Sequence, residues 1–254
     1  MNLASLSKPW SDTCLEYFLV RPYCTLLAFL IGKCTISSMR TFFIGDVHGC
    51  FDELIELTHR IGLRDDDRLF FAGDIINKWP KSLEVVEWIR ARPNTYSVLG
   101  NHEYFSLESK YTDHGQWNLS WIDIQYKKSE KLRDILTKQW HKDWLLSLPV
   151  IIEEDNFILV HGWIHPDYGI NTPLEIATLI RFHDERPWYE YYSGTKPIIY
   201  GHWALDGLRI RSNTIGLDSG CCFGGHLTAY CLETKNFYQV RAHAVYKNPA
   251  HWKL

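Results

Sequence analysis

The sequence predicts an α/β sandwich: two sheets flanked by helices, with a helical insertion set between the two halves of the chain. Three features of the 254 residues lead there. Between residues 40 and 100, short apolar runs that each end in glycine alternate with helical periods. Residues 103–147 then turn helical and aromatic, and from residue 150 onward strand-like runs return. With 46% hydrophobic residues, a chain of this length buries a sizeable core.

Residues 1–38 stand apart. They carry Cys14, Cys24 and Cys34, few acidic side chains, and the apolar patch "YCTLLAFLIG" behind Arg21 and Pro22. That patch is too short to span a bilayer, and no small-residue cleavage site of a secretory signal follows it. The expectation is a leader of doubtful structure over 1–38, with translation starting at Met39 and the working domain occupying 39–254.

From Met39 the elements follow in order. The runs "RTFFIG" (40–45), "RLFFAG" (68–73) and "TYSVLG" (95–100) read as strands, being β-branched or aromatic and closed by glycine. Leu54, Ile55, Leu57 and Ile61 recur at helical spacing, as do Leu83, Val86 and Ile89, so each crossover is helical. Strand, helix, strand implies parallel strands with right-handed crossovers. It also gathers the loops after the strands' carboxyl ends on one edge, where ligands bind. The stretch 103–147, with Trp117, Trp121, Trp140 and Trp144, is the expected cap insertion. Six further strands are expected from "VIIEE" (150–154), "FILVHG" (157–162), "PIIYGH" (197–202), "NTIGLDSG" (213–220), "HLTAYCLE" (226–233) and "FYQVRA" (237–242).

Five of these strand ends carry polar residues of metal-ligand type: Asp46 with His48, then Asp74, then Asn101 with His102, then His161, then His202. A single one has a plain structural explanation, since Asp after Gly caps helices and a lone His is commonly a core residue. Five together are hard to explain by capping. They suit a two-metal centre, in which a bridging carboxylate holds two ions roughly 3.5–4 Å apart against a phosphoryl oxygen. Mixed oxygen and imidazole donors favour Mn, Fe, Co, Ni or Zn over Mg or Ca. No phosphate-cradling loop of the Walker type is present.

The segments "GDVHG", "GDIINK", "GNHE", "VHG" and "IYGHW", in this order, resemble the metallophosphoesterase (calcineurin-like) superfamily and, within it, the PPP-type phosphatases. More narrowly, "IIYGHW" with "GLDSGCCFGGHLTAYCLE" is similar to symmetrical diadenosine tetraphosphatases and the ApaH-like phosphatases. The likeness runs from residue 40 to about 242. It implies a four-layer αββα sandwich of two mixed β-sheets and two divalent transition-metal ions, manganese foremost. Asp46 and His48 would be ligands of the first ion, Asp74 the bridge, and Asn101, His161 and His202 ligands of the second. His102 would protonate the leaving oxygen, and Arg181 in "TLIRFH" would bind phosphate. The implied reaction is hydrolysis of a phosphoric ester or anhydride, with diadenosine tetraphosphate cleaved to two ADP as the favoured case.

Departures from the family bear on substrate. Where the protein phosphatases carry Asp-Arg-Gly, this chain has Asn77, Lys78 and Trp79. Lys78 can meet a phosphate as a point charge but lacks the bidentate fork of arginine. Asn77 leaves His102 without a carboxylate partner. A serine/threonine protein phosphatase, a hydrolase of polyphosphate or capped RNA, and a non-catalytic scaffold stay open as alternatives. Trp163, Trp203 and Tyr104 are candidate base-stacking surfaces, although most of the aromatic rings belong to packing.

A net charge of -3 gives no electrostatic footprint for nucleic acid or an anionic membrane, so any phosphate-bearing ligand, such as the small-molecule nucleotide that the resemblance implies, must be captured locally. The seven cysteines show no zinc-type paired spacing, and a reducing cytoplasm fits them. The adjacent Cys221 and Cys222 read as buried small residues near a turn.

Overall fold

Alternation at period two sorts the apolar residues into layers. In β1 (Thr41–Ile44), Phe42 and Ile44 join one buried cluster and Phe43 another; in β2 (Arg68–Phe71), Leu69 and Phe71 are divided from Phe70 in the same way. The first cluster is covered by Leu54 and Leu57 of α1 (Phe51–Arg60) and by Val85, Val86 and Ile89 of α2 (Ser82–Ala91). The second lies between the sheets, where the rings of Phe43, Phe70 and Phe157 meet at centroid distances of 4.7, 5.1 and 5.5 Å. A third backs the other sheet, with Ile158, Val160, Ile198 and Tyr200 packed against Trp188 and Ala177. The computed structural model describes residues 39–78, 81–108, 139–205 and 207–248. The leader, Trp79 and residues 109–138 of the expected cap lie outside these described residues.

The first sheet has the order β12–β11–β1–β2–β3, with β3 at Thr95–Ser97, β11 at His226–Cys231 and β12 at Phe237–Arg241. Strands β1, β2 and β3 are parallel, while β11 runs antiparallel to both of its neighbours, β1 and β12. The second sheet has the order β4–β5–β8–β10–β9, formed by Ile151–Glu153, Ile158–Val160, Ile198–Tyr200, Thr214–Gly216 and Arg209–Ile210. Its centre β5, β8 and β10 is parallel and its two edges are antiparallel. Both sheets are mixed, and the helix–sheet–sheet–helix order is the expected four-layer sandwich.

The sequence reading did not include β9 or the small hairpin of β6 (Phe182–His183) and β7 (Arg186–Pro187). Two-residue strands leave no periodicity to detect. The expected cap begins with α3 (Asn101–Glu108) and ends with α4 (Gln139–Leu146); Trp144 packs on the helix-side core and Trp140 meets the Arg90 guanidinium at 4.0 Å. On the other sheet's outer face lies the short α5 (Leu174–Leu179). Among the described residues, no helix is long and apolar enough to cross a membrane.

Candidate metal centre

Six parallel strands deliver side chains to one place. The segments after β1, β2 and β3 bring Asp46, His48, Asp74, Asn101 and His102; those after β5, β8 and β10 bring His161, His202 and Asp218. The backbone bends sharply to do so. His48, Asp74, Asn77, Lys78 and His202 all have φ between +48° and +71°, a left-handed conformation that costs a non-glycine residue of order 1–3 kcal/mol and persists where surroundings over-determine it. Two glycines permit close approach: a Cβ on Gly201 would lie 2.1 Å from Asp46 Oδ1, and one on Gly100 would lie 2.3 Å from Asp74 Oδ1.

In one half of the site the protons can be placed. His161 Nδ1 lies 2.7 Å from the Ala72 carbonyl, so it carries the hydrogen and leaves a lone pair on Nε2. His202 Nε2 lies 3.0 Å from the Leu179 carbonyl, which leaves the lone pair on Nδ1. These two nitrogens face each other at 3.1 Å, with Asn101 Oδ1 at 2.9 Å from both and Asp74 Oδ1 3.4 Å from His161 Nε2. Four acceptors thus converge with no proton among them. The arrangement repels itself unless a cation sits between the lone pairs, so the donor set fits a divalent ion of the kind that takes nitrogen and oxygen together.

The other half is richer in carboxylate. His48 Nδ1 is 3.1 Å from the Ile76 carbonyl, so the Nε2 lone pair points inward, 3.5 Å from Asp74 Oδ2 and 3.8 Å from Asp46 Oδ2. Here a cation of the chain itself is in place: Lys78 Nζ donates to His48 Nε2 at 2.6 Å. It is not enough for all three carboxylates. Burial, then the charges of Asp218 and Asp74, push the Asp46 carboxyl well up, and burial raises Asp218 as well. Burial works against Asp74 too, but the imidazoles of His161, His102 and His48, with Lys78, hold it well down.

His102 stands between the halves, its ring 4.8 Å from that of His48. Asn77 Oδ1 accepts the Lys78 backbone N–H at 2.7 Å, so its amide nitrogen faces His102 Nδ1 at 3.0 Å and donates to it. The imidazole hydrogen therefore sits on Nε2, 3.8 Å from Asp74 Oδ2. Arg181 also reaches the site: Nη2 donates to the His202 carbonyl at 2.9 Å, and its buried Nε has no hydrogen-bond partner. Every metal-ligand, catalytic and phosphate-binding candidate read from the sequence is thus brought together, although Lys78 lies on a ligand rather than in an open phosphate position.

Two further residues of the site were not singled out in the sequence. Glu103, fully buried, accepts the backbone N–H groups of Asp74, Ile76 and Gly100 at 2.9, 3.1 and 2.9 Å and so fixes two ligand-bearing loops. Burial and the Asp74 charge push its carboxyl up to about 8. Asp218 lies on the sixth strand end and could have been found by extending the strand-end rule to "GLDSG". Trp163 and Trp203 are corrected: at 4% and 6% exposure they belong to packing rather than to a stacking surface. Trp203 is enclosed by Phe182, Tyr189 and the Arg209 guanidinium.

Comparison with known proteins places the chain in a family. The chain is 28% identical to a symmetrical bis(5'-nucleosyl)-tetraphosphatase of Neisseria meningitidis, over 80% of this chain and 96% of the relative. It is also 28% identical to the asymmetrical bis(5'-nucleosyl)-tetraphosphatase PrpE of a Geobacillus, over 76% and 90%. A crystal structure provisionally named a diadenosine tetraphosphatase superposes with a TM-score of 0.67 at 26% identity, covering 82% of this chain and 95% of that one. The fold is shared by a metallophosphoesterase of Sphaerobacter thermophilus, with a TM-score of 0.53 at 20% identity over 81% and 90%. The family model for calcineurin-like phosphoesterases matches residues 39–245, a span that takes in all six of these strand ends, and the chain belongs to that family.

Proposed function

We propose that the chain hydrolyses a dinucleoside polyphosphate, with diadenosine tetraphosphate cleaved symmetrically to two ADP as the favoured substrate. The observation that carries the hydrolytic reading is the facing pair of lone pairs on His161 Nε2 and His202 Nδ1. Asn101, His161 and His202 would hold one divalent ion, Asp46 and His48 the other, and Asp74 would lie between them. The nitrogen donors favour Mn, Co or Ni over Mg, with manganese the first expectation. When bound, the ions supply Lewis-acid polarisation of a phosphoryl oxygen and a water whose pKa falls to about 7.

The chain's own residues supply the rest. Burial, then Lys78, hold the His102 pKa down to about 3, so the ring is neutral and offers its Nε2–H as a hydrogen bond to the leaving oxygen rather than the ready proton that the sequence led one to expect. A nucleoside diphosphate is a better leaving group than a serine alkoxide and asks less of that donor. Lys78 and Arg181 offer separate positive points, which suit a row of phosphates better than a single terminal one. Similarity to symmetrical tetraphosphatases supports two ADP as products; similarity to PrpE favours a second reading, ATP plus AMP. The four described cysteines, all free and buried, are in keeping with a reducing, cytoplasmic setting.

Chromatography of the products tests the substrate. Two ADP are expected, with kcat/KM at least ~100-fold above that for a phosphoserine peptide, roughly 2.7 kcal/mol of transition-state discrimination. Equal rates on the peptide, or ATP plus AMP, would overturn the symmetrical reading. Residues 39–254 are proposed as the working unit, so a chain starting at Met39 should keep its fold and its kcat/KM.

A further inference from the structure

On the helix side of the first sheet, Cys50, Glu53 and Cys221 bring two sulfurs and a carboxylate oxygen within 4.8 Å of one another. All three residues are 0–1% exposed. The thiols alone would pass for small apolar packing; the carboxylate does not. Glu53 Oε1 accepts the His243 backbone N–H at 2.8 Å and the Tyr246 hydroxyl, whereas Oε2 is buried with no hydrogen-bond partner. Close by, His243 donates from Nε2 to Glu56 at 2.9 Å; when the ring is neutral this leaves a lone pair on Nδ1, 3.9 Å from Glu53 Oε1. Cys50 and Glu53 lie together at the start of α1, and the fold brings to them the turn at Cys221–Phe223 and the segment after β12.

We propose that Cys50, Glu53 and Cys221 form a second cation site, separate from the strand-end centre, that takes one thiophilic divalent ion of the zinc type. Two sulfurs and one oxygen are three ligands of a tetrahedral set, and the fourth position falls to His243 Nδ1 or to water. On binding, each S–H bond breaks, an S–metal bond forms, and both protons pass to solvent; nothing is oxidised or reduced. The ion would tie the loop that carries Asp46 and His48 to the turn that follows Asp218, and so brace two of the six ligand-bearing strand ends.

Cobalt(II) titration of the reduced, chelator-stripped full chain tests this. The strand-end centre offers only oxygen and nitrogen, so a near-ultraviolet sulfur-to-cobalt charge-transfer band reports on cysteine ligation and not on that centre, and the serine variants assign it to Cys50 and Cys221. The band should saturate at one ion per chain, disappear on adding zinc, persist in Asp74→Asn and in Cys231→Ser, and vanish in Cys50→Ser and Cys221→Ser. Glu53→Gln, which keeps both thiols, should weaken cobalt binding about 10-fold or more and serves if the serine variants do not fold. The absence of a band in the wild-type chain, its survival in the folded serine variants, or its loss in Asp74→Asn would overturn the proposal. So would a Cys50–Cys221 disulfide whose reduction restores no cobalt band.

Discussion

The two halves of the strand-end centre solve the same electrostatic problem differently. On the His48 side, three carboxylates and one imidazole are partly neutralised by Lys78, whose ammonium lies 2.6 Å from His48 Nε2. On the His202 side, the imidazoles and the Asn101 amide point bare acceptors at one another, and Arg181 brings its positive charge to the His202 carbonyl rather than between them. A self-supplied cation makes the first half tolerable by itself. The second is tolerable only when filled, which makes it the better witness that this chain holds metal.

The largest expected effect lies where the halves meet. Asp74→Asn removes the one carboxylate that faces both, and turnover should fall at least ~1000-fold, as for loss of other strong electrostatic elements of active sites. Circular dichroism should show the fold retained; a variant keeping a tenth of the wild-type rate would sink the bridging role. Next comes His202→Ala, which strips the second half of a nitrogen donor. Calorimetric titration with Mn should show one of two binding events weakened roughly 10–100-fold and the other unchanged. Equal weakening of both would mean that the halves do not act as separate sites.

A carboxylate far from the site sharpens the contrast. Asp67 is buried yet takes its cations from the chain, from Arg40 and Arg64 at 2.5 and 3.0 Å. Burial opposes its ionisation, but the hydrogen bonds from both arginines outweigh it and lower the pKa from 3.8 to about 2. The sign follows: stability from this group is fully present above pH 3.8 and is lost as pH falls through about 2. Asp67→Asn should therefore cost about 2 kcal/mol at pH 7 in urea unfolding, with the two curves converging near pH 2. An unchanged gap at low pH would remove the electrostatic explanation.

The smallest effect concerns Lys78. If its ammonium competes for the place of an ion, Lys78→Met should raise affinity for the ion on the His48 side by about 10-fold while lowering kcat/KM for a polyphosphate. A drop in both would show that Lys78 supports the ligands rather than competing with a metal.

Local pattern made much of this legible. Glycine-terminated apolar runs located β1 and β2 to within two residues, because a strand's period and its stop are both written in adjacent positions. The ligand types Asp46, His48, Asp74, Asn101, His161 and His202 could be read because parallel strands deliver their carboxyl ends to one edge. Other features have no local signature. Glu103 is an ordinary helix residue until three backbone N–H groups from separate loops turn toward it. The cysteines show no paired spacing, yet Cys50 and Cys221 meet across the fold.

The sequence by itself determined the layers, the strand ends and the kinds of donor they carry, since these depend on side-chain chemistry and spacing along one segment. Only the tertiary structure decided which nitrogen of each imidazole holds its hydrogen, where Lys78 rests and which carboxylate oxygen stays bare. Those facts depend on carbonyls and amides brought from distant segments, with His161 held by Ala72 and His202 by Leu179. A proton's place is set by the partner across the fold, and no stretch of sequence contains that partner.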